Sequence, residues 1–78
     1  MNALYTKTAK KALLSLDADT QARIKAGIAK IPLGDIRELK GKDGIYRLRI
    51  GKYRIVYKYK DKDEVIIADI GSRGDIYK

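Results

Sequence analysis

The chain has 78 residues with no cysteine and no histidine, and its 18 Lys and Arg against 10 Asp and Glu leave a formal charge of +8. Those absences exclude disulfides, thiolate metal sites and imidazole acid/base chemistry, so no metal or other cofactor is expected. The cation excess suits a polyanionic partner, nucleic acid above all. A single domain over 1–78 is expected, near the lower size at which one core holds a fold. The sequence shows neither an apolar run of transmembrane length nor a leader-like start, so a soluble, cytoplasmic setting without a membrane is expected.

Met1 to Tyr5 is a short apolar stretch that suits an edge strand. From Thr8 the pattern turns helical, with Ala9, Ala12, Leu13 and Leu16 on one stripe and Lys10 and Lys11 off it. Asp17 is the expected N-cap of a second helix, whose apolar face is Ile24, Ile28 and Ile31. Pro32 stops that helix, because the residue before a proline is pushed out of the α region. Two helices so closely joined are expected as an antiparallel hairpin. Residues 32–44 read as a connecting loop, pinned to the core by Leu33, Ile36 and Leu39 and turned at Gly34, Gly41 and Gly44. Three antiparallel strands are expected next: Ile45 to Ile50, Tyr53 to Tyr59 and Val65 to Ile70. Gly51-Lys52 between the first two is a two-residue loop of the kind that favours primed turns. The fold class is therefore α+β, a helical hairpin packed on a small antiparallel sheet.

That turn sets the register of the hairpin, with Arg49 across from Arg54 and Arg47 across from Val56. Alternation then puts Tyr46, Leu48, Ile50, Tyr53, Ile55 and Tyr57 on the core face. Ile45, Arg47, Arg49, Arg54, Val56 and Lys58 take the open face. If Tyr59 pairs with Glu64, Arg54 meets Asp69, and Ile66, Ala68 and Ile70 join the core. Like charges opposed across a sheet are destabilising. A bound phosphate would offset that repulsion, and the rigid guanidinium fork suits it. The alternative is an ordinary solvated face. Beyond the last strand, Arg73 and Tyr77 sit where a loop can aim them at a ligand. The tripeptide Arg73-Gly74-Asp75 matches an adhesion signal, but without a secretory context it carries no weight.

Taken in order, "LDADTQARIKAGIAKIP", "ELKGKDGIYRLRIGKYRIVY" and "IADIGSRGDIYK" resemble the RelE branch of the RelE/ParE toxin superfamily over almost the whole chain. The resemblance implies a RelE-like fold and a metal-independent endoribonuclease that cuts messenger RNA in the ribosomal A site. It also implies a cognate acidic antitoxin as partner. In that chemistry the 2′-hydroxyl attacks the adjacent phosphate and the 5′-oxygen leaves, which calls for a base, charge stabilisation and an acid. Carried over by position, the catalytic candidates are Arg47, Arg49, Arg54, Arg73 and Tyr77. Lys40, Lys42, Lys52 and Lys58 are candidate RNA contacts. Two departures matter. The first two positions are often lysine in the best-known branch, and arginine is a poor base. Many relatives carry histidine where this chain has Ser72, and some have a helix beyond the position of Lys78. A ParE-like toxin acting on DNA gyrase and a non-catalytic binding module are the alternatives.

Overall fold

The computed structural model describes residues 1–41 and 43–72. The order of elements is β1 (Asn2–Tyr5), α1 (Lys7–Leu14), α2 (Ala18–Ala29), β2 (Asp35–Glu38), β3 (Tyr46–Ile50), β4 (Tyr53–Tyr59) and β5 (Glu64–Ser72). The strands form one five-stranded sheet in the order β1-β5-β4-β3-β2. The fold is α+β as expected, with both helices against a sheet. That sheet is larger than three strands, and it is mixed: β1 runs parallel to β5, while the other pairs are antiparallel.

Local chemistry explains where the helices begin. The Thr6 hydroxyl accepts from Ala9 N–H at 3.1 Å, capping α1 one residue earlier than the apolar stripe suggests. Asp17 caps α2 as expected, accepting from Thr20 N–H at 3.2 Å and from the Thr20 hydroxyl at 2.6 Å. Those bonds hold its carboxyl below the ordinary range. The helices pack on the sheet rather than chiefly on each other: α1 lies on β5 and β1, α2 on β3 and β1. Gly27 brings α2 close to β3, because a side chain there would run into Ile50.

Ala9, Leu13, Ile24, Ile28 and Ile31 meet Leu48, Ile55, Tyr57, Val65, Ile67 and Ile70 in one core. Burying such apolar surface is the main favourable term in folding. Within it Tyr57 stacks on Tyr46, with ring centres 5.6 Å apart, and Tyr59 meets both edge-on. Burial pushes the Tyr57 phenol well above its usual value.

Two expectations need correcting. The segment read as a loop contains β2, which pairs antiparallel with β3 from Asp35↔Arg49 to Glu38↔Tyr46. Ile36 packs against the core from that strand, whereas Leu33 is 70% exposed and does not pin the segment. The β4–β5 register also differs by one residue, with Tyr59 opposite Val65. A one-residue slip exchanges the faces of a strand, so Val65 and Ile67, rather than Ile66, point inward. A bulge then follows: Tyr57 pairs with Ile67 but Val56 with Asp69, leaving Ala68 as the extra residue. Beyond it Ile70 faces the core as expected. Thr6 holds this irregularity from the helix side, its N–H donating to Ile67 O at 3.0 Å and its hydroxyl to Ala68 O at 2.9 Å.

Candidate nucleic-acid interface

The β3–β4 hairpin has the register read from its turn, including Arg49↔Arg54 and Arg47↔Val56. Gly51 takes φ +58, as the primed two-residue turn requires. Directly opposed residues in such a pair have Cβ atoms about 4.5–5.5 Å apart, so Arg49 and Arg54 start from neighbouring positions on the face turned away from the helices. Lys58 continues that face along β4 and is exposed.

The partner of Arg47 and Arg49 comes from the segment read as a loop. Asp35 on β2 lies across from Arg49, and its Oδ2 accepts from Arg49 Nε at 2.9 Å. Its Oδ1 lies 3.4 Å from Arg47 Nη1, which also donates to the Asp35 carbonyl at 3.3 Å. One carboxylate thus braces two guanidinium groups. The hydrogen bond from Arg49, then the charges of both arginines, hold the Asp35 carboxyl below its ordinary value. Asp69, expected to meet Arg54, sits across from Val56, because the shifted register and the bulge carry Gly71 to Arg54 instead. Its Oδ1 accepts from Ile70 N–H at 2.8 Å.

The candidates are not equivalent. Arg47 is not on an open surface as expected: it is 7% exposed and engaged with Asp35. Arg49 keeps a side chain 45% exposed beside its partner, which leaves guanidinium edges for a ligand. Arg54 is half-buried opposite it. Lys52 lies exposed at the turn, its Nζ 5.5 Å from the centre of the Tyr53 ring. Lys40 is exposed beyond the far end of β2, at the opposite end of the sheet from that turn. Arg73, Tyr77 and Lys42 lie outside the described residues.

Sequence reasoning missed Asp35 and Arg37, which the register puts across from Arg47. The signal was faint: only Asp35-Ile36-Arg37 alternates with the period of a strand, and Glu38 breaks it. The glycines flanking it directed the reading towards a loop. Among the described residues no cluster of three or more His, Cys, Asp or Glu is placed to hold a metal ion. No helix among them is long and apolar enough to cross a membrane.

The fold and this face can be set beside known proteins. Residues 3–77 match the family described as the ParE toxin of the type II toxin–antitoxin system parDE. A Methanocaldococcus jannaschii protein bearing the name RelE1 is 47% identical over 45 residues, a stretch covering 56% of this chain and 50% of that protein. The chain thus matches about half the length of that curated relative. Among solved structures, the RelB–RelE antitoxin–toxin complex of Methanococcus jannaschii matches with a TM-score of 0.74 at 30% identity, covering 95% of this chain and 94% of that one. The RelE–RelB complex of Pyrococcus horikoshii OT3 matches at 0.69 and 28%, covering 94% of each chain. A family match across nearly the full chain, on a fold shared with RelE, makes this protein a member of the RelE/ParE superfamily of type II toxin–antitoxin toxins.

Proposed function

We propose that the chain is a RelE-like toxin that cleaves messenger RNA on the ribosome and is silenced by an acidic antitoxin. The observation that carries this reading is the opposed pair Arg49 and Arg54 beside Lys52, with Asp35 bracing Arg49 from the β2 side. An already braced guanidinium loses little freedom when it engages a phosphate. Arg49 and Arg54 take the RNA phosphate. Arg47, held against Asp35, keeps that carboxylate in place. By the family resemblance, Arg73 stabilises charge on the crowded phosphorane, and Tyr77 aligns the nucleotide or carries a proton. Cytoplasmic location follows from such a target. The antitoxin reading is supported by the solved RelE relatives, which are complexes with RelB.

A ParE-like action on gyrase is the second reading, favoured by the description of the matching family. Purified protein added to translating ribosomes separates the two. Cleavage of the bound message is expected, and Arg73→Ala, which removes the proposed charge stabiliser, is expected to slow it by on the order of 10²–10³. Uncut message together with poisoned gyrase would establish the ParE-like action. Binding to RNA without either effect would mark a non-catalytic module.

A further inference from the structure

The hairpin turn has a second cationic side, facing the helices. A cavity of about 370 Å³ lies between α2 and the turn, lined by Asp17, Thr20, Arg23, Ile24, Ile50, Gly51, Lys52 and Tyr53. Its volume is within the range of small-ligand sites. The chemistry divides cleanly: Ile24 and Ile50 are apolar floor, Tyr53 offers a half-buried ring, and Arg23 and Lys52 are exposed cations. Because Gly51 has no side chain, the Arg23 guanidinium can lie against the turn, with Nη2 3.3 Å from where a Cβ would stand.

Unlike Arg47 and Arg49, these two cations form no ion pair among the described residues. Asp17, the only acid lining the cavity among the described residues, has its oxygens turned to the N–H and hydroxyl of Thr20. Two cations against one occupied carboxylate leave an excess of positive charge beside an aromatic ring. Such a site suits a ligand with an anionic end and a flat or apolar end.

We infer that this cavity is a nucleotide subsite, with Arg23 and Lys52 on a phosphate and the sugar or base against Ile24 and Tyr53. The RNA reading enters only as the source of that phosphate. Arg49 and Arg54 flank the same turn, so a strand crossing the hairpin tip engages both sides of the sheet. A free mononucleotide carries the same chemistry.

Amide NMR titrations with a 5′-mononucleotide and with a single-stranded hexaribonucleotide test the site. They would use wild type, Arg23→Gln, Lys52→Gln and the double variant, all exposed changes whose folding the same spectra verify. The expected result is that both probes shift the amides of Thr20 and Gly51. The double variant should bind the mononucleotide at least tenfold more weakly. Its salt dependence for the oligonucleotide should be flatter, by about 0.7 for each phosphate that is no longer neutralised. Shifts at the cavity with the mononucleotide alone would support the subsite while removing its RNA source. Shifts confined to Arg49 and Arg54 with both probes would overturn the subsite while leaving the RNA-binding reading intact. Silence at Thr20 and Gly51 with both probes would also overturn it.

Discussion

The two faces of the β3–β4 hairpin bury side chains by opposite means. Toward the helices, Leu48 and Ile55 are enclosed among apolar neighbours, and their burial needs no partner. On the other face Arg47 is almost as enclosed, yet its charge is met by Asp35 from an adjacent strand. A charge taken out of water is costly unless it is paired and hydrogen-bonded. The core face is therefore strict about volume and apolar character. The arginine face is strict about charge. Stability and ligand binding should separate along that division.

The largest effect should come from the core. Ile55→Ala removes a fully buried side chain at the centre of the sheet and should cost about 2–5 kcal/mol, measured by denaturant unfolding. RNA affinity of the fraction still folded should keep the wild-type salt slope, because every cation proposed to meet phosphate is still in place. A changed slope would mean the two faces are coupled.

A smaller loss is expected at the bulge that lets β5 serve both registers. Thr6→Val preserves shape but removes the hydroxyl that caps α1 and donates to Ala68 O. A lost N-cap typically costs about 0.5–2 kcal/mol. Hydrogen exchange should quicken first at the start of α1 and at the bulge. Uniform loss of protection would show that Thr6 holds no more than the global fold.

The smallest effect at neutral pH is expected at Asp35, which is 47% exposed and largely solvated. Its folded pKa is depressed, so its contribution is present above the unfolded value near 3.8 and fades as pH falls through the lower folded one. Wild type should therefore lose its advantage over Asp35→Asn below about pH 4, as read by parallel melts across that range. An advantage constant through the acid range would assign the role of Asp35 to shape rather than charge.

The β3–β4 hairpin was legible because its information is local. A two-residue loop with glycine imposes one register, and alternation then sorts six residues to the core face without any tertiary knowledge. The β4–β5 connection was not legible in the same way. Its polar run admits pairing of Tyr59 with Glu64 or with Val65. The turn closes on the second, with Lys60 N–H donating to Glu64 O at 2.9 Å, and Thr6 ties the distant start of α1 to the bulge beyond it. β2 was missed for a related reason. A four-residue strand carries too few alternations to outweigh its flanking glycines, and it is stabilised by β3, which follows it.

Sequence alone thus determined the α+β class, the helix stripes, the Asp17 cap and the opposition of Arg49 to Arg54, since each depends on neighbours a few residues apart. It also carried the family resemblance, through residue order along the whole chain. Only tertiary structure decided which carboxylate meets Arg47 and Arg49, because Asp35 reaches them across strands joined by a connection that no local rule measures. The same holds for the cavity that unites Arg23 with Lys52. Those two residues are far apart in sequence, and the packing of α2 on the hairpin makes them neighbours.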